Sequence, residues 1–259
     1  MKVVILAGGL GTRISEESHL RPKPLIEIGG KPILWHIMKI FSTYNLNEFI
    51  ICCGYKQNLI KQYFKDYFIN NSDLKIDLKN NKVVILNKPK EKWKLTLVNT
   101  GLNTNTGGRL LRIKKFIKPG ENFCFTYGDG VAKIDIKKLI QFHKNNKKMA
   151  TLTAVKPSGR YGIINLSSKN LVNKFVEKPS GDNNWINGGF FVLNYKVFKF
   201  LKNDKDIWEQ GPLQRISKLK NLSAYKLNSF WKAMDTKNDR EYLENLWQNN
   251  SAPWKIWYD

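Results

Sequence analysis

Short apolar runs alternate with segments of helical periodicity along this 259-residue chain. Continuous apolar runs of strand length are typical of strands that are buried on both faces of a sheet. Such runs predict strands at residues 2–7, 49–53, 83–86, 95–98, 123–127, 149–155, 162–166, 171–176 and 185–193. Helical periodicity predicts helices at residues 32–41, 59–68, 106–117, 135–143, 195–201, 212–219 and 240–248. The alternation predicts a sheet covered by helices, and the absence of a linker-like stretch predicts one domain over 1–259.

Composition favours a folded protein over a disordered or membrane-spanning one. The chain contains 14 Phe, 10 Tyr and 8 Trp, and its apolar runs are too short to cross a bilayer. Cys52, Cys53 and Cys124 lie inside apolar runs, which favours buried free thiols in a reducing compartment over a disulfide or a zinc site. We therefore expect a cytoplasmic protein with no membrane partner.

The net charge of +23 raises the possibility of nucleic-acid binding, which belongs to a different functional class. The lysines are spread along the chain, and arginine, which dedicated nucleic-acid surfaces favour, is scarce. Charge of this kind favours solubility and attracts phosphorylated ligands. We expect no specific nucleic-acid partner.

A glycine-rich turn follows the first predicted strand. Residues 8–13 are Gly-Gly-Leu-Gly-Thr-Arg, and residues 21–25 are Arg-Pro-Lys-Pro-Leu. The backbone N–H groups of such a turn form a concavity for phosphate oxygens, and Arg13 and Lys23 add two cations. The prolines on both sides of Lys23 restrict its backbone and present its charge. A dinucleotide fingerprint would need glycine in place of Ile14, and the Gly-Lys-Ser/Thr of a P-loop is missing, so the turn predicts nucleoside triphosphate binding.

These two elements together resemble the signature of the sugar-1-phosphate nucleotidyltransferases. Residues 14–17 and 28–39 are similar to the glucose-1-phosphate cytidylyltransferase branch, and the likeness extends to Ala252-Pro253-Trp254-Lys255. The resemblance implies an α/β fold with three α/β/α layers, Rossmann-like, around a mixed and mostly parallel sheet. It also implies CTP and glucose 1-phosphate as substrates, CDP-glucose and pyrophosphate as products, Mg²⁺ as cofactor and a homo-oligomer. In that branch CDP-glucose feeds deoxysugars into surface polysaccharide such as lipopolysaccharide O-antigen.

The resemblance also assigns a nucleotide site that starts at the end of the first strand. Its residues are Leu6, Ala7, Gly8, Gly9, Leu10, Gly11, Thr12, Arg13, Lys23, Thr104, Thr106, Gly107, Arg109 and Gly128. Arg13 and Lys23 are expected to act in catalysis by stabilising the phosphates. Arg109 can donate to cytosine O2 or to a phosphate, and a helix-surface arginine is the simpler interpretation.

Two aspartates are the candidate metal ligands. Asp129 lies between two glycines at a predicted strand end, and a carboxylate among phosphates is most useful when it holds a hard cation such as Mg²⁺. An ordinary Asp-Gly turn is the alternative. The resemblance makes Asp129 a catalytic metal ligand and adds Asp235, whose alternative role is the N-cap of the last helix.

The sugar-phosphate site rests on the resemblance as well. Lys178 is expected to bind the phosphate of the sugar and Glu177 its hydroxyl groups, while Asn187 and Gly188 line the sugar pocket. A solvated ion pair and a strand bulge are the corresponding structural alternatives.

Two rival functions and one assembly contact stay open. The nearest rival uses another base, UTP or dTTP, or another sugar phosphate. A glycosyltransferase is the other, because Asp204-Lys205-Asp206 matches the Asp-x-Asp pattern in a polar, loop-like stretch. The Trp-rich tail at 247–258 is the predicted contact of a homo-oligomer.

Overall fold

The computed structural model describes residues 1–11, 14, 20–87, 89–157 and 185–258, together with the backbone of residues 163–166 and 172–176. Its strands are β1 (Val3–Ala7), β2 (Glu27–Ile28), β3 (Lys31–Pro32), β4 (Glu48–Cys53), β5 (Leu74–Asp77), β6 (Lys82–Ile85), β7 (Lys94–Asn99), β8 (Asn122–Tyr127), β9 (Gly130–Ala132), β10 (Ala150–Val155), β11 (Ile163–Leu166), β12 (Val172–Val176), β13 (Ile186–Asn194), β14 (Leu222–Leu227) and β15 (Trp231–Ala233). These include all the strands predicted from apolar runs.

The α-helices of the described residues are α1 (Ile33–Ser42), α2 (Gln57–Asn70), α3 (Thr106–Arg112), α4 (Ile136–Asn146), α5 (Pro212–Lys218) and α6 (Lys237–Gln248). Short 3-10 helices occur at Lys23–Leu25, Lys114–Phe116 and Tyr195–Phe200. None of the helices in the described ranges has both the length and the apolar character that crossing a bilayer requires.

Seven strands form the central sheet in the order β14-β10-β13-β8-β1-β4-β7. Strands β8, β1, β4 and β7 pair in parallel, as do β10 and β14. Strand β13 runs antiparallel to both of its neighbours, β10 and β8. The predicted mixed, mostly parallel sheet is therefore confirmed.

Strand β1 lies inside the sheet because its sequence contains only apolar residues. All five residues from Val3 to Ala7 are buried, and β-branched side chains such as Val and Ile suit a strand that is packed on both faces. Successive side chains point to opposite faces, so Val3 and Ile5 enter one core and Val4 and Leu6 enter the other.

Each of these two cores is covered by helices. The first contains apolar residues of α1, α2, α4 and α6, and the second contains those of α3 and α5. The three α/β/α layers implied by the family resemblance are thus present. This arrangement leaves the carboxyl ends of β1 and β8 together at one edge of the sheet, where the glycine-rich turn begins.

The structure differs from the sequence predictions at the ends of some elements. Phe68, the last residue of the helix predicted at 59–68, is 40% exposed because the last turn of α2 leads to the β5–β6 hairpin and does not cover the sheet. Strand β14 is only half buried at the sheet edge, so it lacks the apolar run by which the other strands were recognised. The short pairs β2–β3 and β9–β15 carry no such run either.

The two last tryptophans of the Trp-rich tail pack onto their own chain, and the predicted intersubunit contact of the tail stays a prediction. Trp254 is fully buried and Trp257 is 8% exposed. Trp257 packs edge-on against Trp35 of α1, and the indole N–H of Trp254 donates to His36 Nδ1 at 3.4 Å. Large aromatic side chains of this kind bury a large apolar area and so stabilise the core.

Candidate active site

A cleft of about 380 Å³ opens at the carboxyl ends of β1 and β8, the edge at which open α/β sheets bind ligands. The predicted nucleotide-site residues that line it are Leu6, Ala7, Gly8, Gly9, Gly11, Lys23, Thr104, Thr106, Arg109 and Gly128. Both predicted metal ligands, Asp129 and Asp235, also line the cleft. Leu10 is exposed outside this lining, and Gly107 is buried behind it. Thr12 and Arg13 lie outside the described residues.

Lys23 bridges the two aspartates. Its Nζ donates to Asp129 Oδ2 at 2.6 Å and to Asp235 Oδ1 at 2.8 Å. The side chain of Lys23 is 12% exposed, against 31% for Asp129 and 23% for Asp235. Burial alone lowers the pKa of Lys23, but the two carboxylates outweigh it, so the pKa is raised above its ordinary value. The ammonium therefore stays charged at neutral pH.

A short strand pair brings the two aspartates together. Gly130 of β9 lies opposite Ala233 of β15, and the N–H of Met234 donates to the carbonyl oxygen of Asp129 at 2.8 Å. Asp235 therefore emerges beside Asp129.

The N-cap role considered for Asp235 belongs to its neighbour. Thr236 accepts a hydrogen bond from the N–H of Asp239 and forms a capping box with it. The carboxylate of Asp235 faces Lys23 instead.

Arg109 is buried beneath the glycine-rich turn and is not a helix-surface residue. Its Nη2 donates to the carbonyl oxygen of Gly8 at 2.8 Å, and its Nη1 donates to Thr100 Oγ1 at 2.8 Å and to the Gly101 carbonyl oxygen at 2.7 Å. One guanidinium thus joins the ends of β1 and β7. A side chain at Gly8 would place Cβ 2.2 Å from Arg109 Nη1, so the guanidinium would have to move from its present position. Burial lowers the pKa of Arg109.

A smaller cavity of about 50 Å³ adjoins the cleft and shares Tyr127 and Asp129 with it. The predicted sugar-site residues Asn187 and Gly188 line this cavity. The carbonyl oxygen of Gly188 accepts from Trp231 Nε1 at 2.7 Å, which ties β13 to β15. The other two predicted sugar-phosphate residues, Glu177 and Lys178, lie outside the described residues.

Comparison with known proteins identifies the family to which this site belongs. A sequence model of the nucleotidyl transferase family matches residues 2–247. This chain belongs to the nucleotidyl transferase family. It is 52% identical to the glucose-1-phosphate cytidylyltransferase of Salmonella typhi over 257 residues, which cover 99% of this chain and 100% of that protein. It is 43% identical to the "Probable glucose-1-phosphate cytidylyltransferase" of Bacillus subtilis, with 99% and 100% coverage.

The resemblance to the glucose-1-phosphate cytidylyltransferases is thereby confirmed. The fold agrees with that of the family as well. The crystal structure of a UDP-glucose pyrophosphorylase complexed with UDP-glucose superimposes with a TM-score of 0.68 at 16% identity, covering 96% of this chain and 98% of that one. At that identity the likeness concerns the fold alone.

The residues of this nucleotidyl transferase suit a hard divalent cation. The described residues contain no group of three or more His, Cys, Asp or Glu side chains that could hold a metal by themselves. Asp129 and Asp235 nevertheless reach one common cation, the ammonium of Lys23. Mg²⁺ is commonly bound by one or two carboxylates together with substrate phosphates, so this pair of oxygen donors fits it.

Two further residues at the transferase site escaped the sequence analysis. Tyr127, the last residue of β8, lines both cavities and donates to Glu209, and Asn187 Nδ2 donates to the hydroxyl oxygen of Tyr127 at 3.3 Å. The position of Tyr127 beside the predicted Gly128-Asp129 could have marked it. No sequence motif marks Glu209, because it lies in a loop that is distant in sequence from Tyr127 and Asp129.

The Asp-x-Asp pattern of the rival glycosyltransferase function is engaged elsewhere. Asp204 forms a bidentate salt bridge with Arg112, whose Nε donates to Oδ1 at 2.8 Å and whose Nη2 donates to Oδ2 at 2.5 Å. Asp206 accepts from the backbone N–H groups of Lys202 and Asn203. Asp204 therefore holds its loop to α3, Asp206 stabilises the loop itself, and neither lines the cleft that contains Asp129.

Proposed function

We propose that this nucleotidyl transferase transfers the cytidylyl group of CTP to glucose 1-phosphate and forms CDP-glucose and pyrophosphate. The choice of CTP and glucose 1-phosphate rests on full-length identity of 52% to a glucose-1-phosphate cytidylyltransferase. The phosphate chemistry rests on one geometric observation, the shared contact of Lys23 with Asp129 and Asp235 in the cleft.

In this reaction a phosphate oxygen of the sugar 1-phosphate attacks the α-phosphorus of the triphosphate. The new oxygen–phosphorus bond forms as the bond to the pyrophosphate oxygen breaks, and the electron pair leaves with pyrophosphate. The attacking oxygen is already anionic, so no strong base is needed. The site must instead bring two polyanions together and stabilise the charge of an in-line transition state.

Lys23 is the described cation best placed for that task. Two unit charges 4 Å apart interact by roughly 4 kcal/mol at an effective dielectric of about 20, so one fixed ammonium has a large effect on phosphate charge. Asp129 and Asp235 would hold Mg²⁺, which, when bound, would neutralise phosphate charge. The buried Arg109 fixes the carbonyl oxygen of Gly8, and the turn from Gly8 to Thr12 is proposed to hold the triphosphate.

The remaining assignments complete the proposal. Arg13 would add the second phosphate-binding cation, Lys178 would bind the phosphate of the sugar, and Glu177 would bind its hydroxyl groups. Asn187 and Gly188 line the small cavity next to Asp129, which is where the sugar would lie. The proposal includes a single domain, a cytoplasmic location, a Mg²⁺ requirement and a role in supplying surface polysaccharide.

A competition assay tests the choice of substrates. Purified protein is incubated with glucose 1-phosphate, Mg²⁺ and an equimolar mixture of CTP, UTP, dTTP and GTP, and the nucleotide sugars are separated and quantified. We expect CDP-glucose as the main product, with one pyrophosphate released for each molecule of CDP-glucose. A dominant UDP- or dTDP-sugar would overturn the base assignment. Release of pyrophosphate in this mixture, which contains no sugar acceptor, would exclude a glycosyltransferase.

We also propose a homo-oligomer, and the β5–β6 hairpin joins the tail at 247–258 as a candidate contact. The hairpin strands pair only with each other among the described strands, and Leu78 at the turn is 83% exposed while Val83 is 55% exposed. An isolated two-stranded hairpin is marginally stable in water, so a covering partner would stabilise it. Sedimentation velocity of wild type and Leu78→Lys tests this. An assembly of unchanged size in the variant would argue against the hairpin contact.

A further inference from the structure

We propose that Glu209 is a positioning residue that couples the nucleotide side of the cleft to its sugar-phosphate side. The inference rests on the proposed function, because it concerns how the two substrates of that reaction are held. Glu209 belongs to the loop of residues 203–209, called here the strap, which lies between the 3-10 helix Tyr195–Phe200 and α5.

One carboxylate holds a residue from each side. Glu209 Oε2 accepts from Thr106 Oγ1 at 2.7 Å, and Glu209 Oε1 accepts from the hydroxyl of Tyr127. Thr106 lines the nucleotide cleft at the start of α3, whereas Tyr127 lines both the cleft and the small cavity that contains Asn187. The chain of contacts Thr106–Glu209–Tyr127–Asn187 therefore runs from one subsite to the other.

The direction of every hydrogen bond in this chain is fixed by Glu209. An ionised carboxylate only accepts, so both hydroxyl groups must donate to it. The oxygen of Thr106 is then left to accept from the N–H of Trp208 at 2.9 Å, and that of Tyr127 to accept from Asn187 Nδ2 at 3.3 Å. Burial and the charge of Glu209 raise the pKa of Tyr127, so its hydroxyl keeps the proton that it donates.

The strap is anchored firmly enough to hold Glu209 in place. Its backbone carbonyl oxygens at Asp204 and Asp206 accept from the N–H groups of Asn105 and Gly107, both at 2.9 Å. A side chain at Gly107 would place Cβ 2.8 Å from the Asp206 carbonyl oxygen, so the close approach needs glycine there.

The residue next to Glu209 provides a second anchor. Trp208 is fully buried and packs edge-on against Phe125 of β8 and Phe191 of β13. Glu209 is thus a rigidly placed acceptor between two substrate-facing side chains.

Replacement by glutamine tests this coupling with little change of shape. A glutamine side chain has one acceptor oxygen and one donor NH₂, so it can accept from only one of the two hydroxyl groups and would leave the other proton without its acceptor. We expect Glu209→Gln to raise KM about tenfold for the substrate whose side of the cleft loses its acceptor. Glu241→Gln, at an exposed position of α6, is the matched control and should retain wild-type constants.

Single and double variants separate coupling from general damage. Thr106→Val should raise mainly the KM of the triphosphate, and Tyr127→Phe should raise mainly that of the sugar phosphate. Adding Glu209→Gln to Thr106→Val should change the triphosphate KM less than twofold further, since the contact is already lost. If the KM increases of the two single variants multiplied in full in the double variant, the proposal would be overturned. A Glu209→Gln protein whose KM values for both substrates lay within twofold of wild type would overturn it as well.

The test remains informative if the substrate assignment fails. The variants are compared on whichever triphosphate the wild type uses best, and calorimetric titration of each substrate alone gives the same comparison without turnover. A wild type that prefers another base would overturn the proposed function. The ratio of each KM in the Glu209 variants to that in the wild type could still be measured. If Glu209→Gln unfolds, Glu209→Asp keeps the charge but shortens the reach, and wild-type binding of both substrates by that variant would also overturn the proposal.

Discussion

The ammonium of Lys23 lies 2.6 Å from Asp129 Oδ2, and the same ammonium contacts Asp235 at 2.8 Å. Three segments that are distant in sequence therefore meet at one charge. The prolines beside Lys23 restrict its backbone, and the β9–β15 pair fixes the two aspartates next to each other. The cleft thus contains a fixed cation at the place where the phosphate groups of the substrates are proposed to bind.

Removal of this cation should affect both rate and stability. In Lys23→Met the two carboxylates would face each other without a counter-charge, which is unfavourable for like charges held close together. We expect turnover to fall by about two to three orders of magnitude, the typical effect of losing one transition-state contact of this kind. We also expect Mg²⁺ to raise the thermal midpoint of the variant more than that of the wild type.

Differential scanning fluorimetry with and without Mg²⁺ measures the stability effect, and pyrophosphate release measures the rate. Lys138→Met is a suitable control because that side chain is 75% exposed on α4. Equal Mg²⁺ stabilisation of wild type and Lys23→Met would show that the ammonium does not offset the two carboxylates.

Asp235 should matter as much as Asp129 if the two hold one divalent cation. Asp235→Asn keeps the size of the side chain but removes its charge, so we expect turnover to fall by roughly two orders of magnitude. The Mg²⁺ concentration that gives half-maximal rate should rise, because a carboxylate binds this hard ion better than an amide does. Titration of the rate with Mg²⁺ for wild type, Asp235→Asn and Glu241→Gln gives the answer. Unchanged rate and Mg²⁺ dependence in Asp235→Asn would remove it from the metal site.

Local patterns were sufficient to predict the parts of the fold whose signal is continuous in sequence. Strand β1 and its neighbours β4 and β8 are buried apolar runs, and the glycine-rich turn follows β1 directly. The family resemblance placed Lys23, Asp129 and Asp235 in one site, and the structure brings their side chains together. These predictions needed no knowledge of distant packing.

Other features depend on contacts between distant segments, which local patterns do not encode. Glu209 meets Thr106 and Tyr127 only because the strap folds back over α3. Arg109 lies on a short helix where its side chain could have faced solvent, and only the nearby carbonyl oxygens explain its burial. The tail was assigned to an interface because its tryptophans are conspicuous, yet they complete the core around His36.

Arg109 should be irreplaceable by lysine. The guanidinium donates to the carbonyl oxygens of Gly8 and Gly101 and to Thr100 at once, and a single ammonium on a flexible stem cannot match that fork. An unsatisfied buried acceptor costs about 1–3 kcal/mol, so we expect Arg109→Lys to lower the free energy of unfolding by about 3 kcal/mol. Triphosphate affinity should fall as well, because the glycine-rich turn loses its support.

The neighbouring Arg112 provides a matched control for this substitution. It lies on the same helix but is 42% exposed and pairs with Asp204 at the surface. Surface ion pairs contribute about 1 kcal/mol or less, so Arg112→Lys should be nearly neutral. Urea unfolding and calorimetric titration of both variants measure these effects. Similar losses in the two proteins would mean that the contacts of Arg109 contribute no more than a surface pair.

Two buried histidines should make the protein sensitive to acid. Burial lowers the pKa of His36 and of His143 from 6.5 to about 4. His36 is fully buried and bonds the carbonyl oxygen of Ile28 at 2.8 Å, and His143 is 2% exposed and bonds Thr151 at 2.8 Å. Between pH 6.5 and 4 the unfolded chain binds these protons and the folded chain does not, so stability falls as pH drops through that range.

The size of this effect can be isolated with one substitution. From these pKa values, each ring should cost about 2 kcal/mol of stability on going from pH 7 to pH 5. His143→Asn places an amide near the position of Nδ1 but removes the titrating group, so its loss of stability over this interval should be smaller by about 2 kcal/mol. Carboxylates titrate equally in both proteins and cancel in the comparison. Urea unfolding of wild type and variant at the two pH values provides the measurement, and identical pH dependence would show that His143 binds a proton in the folded state as readily as in the unfolded one.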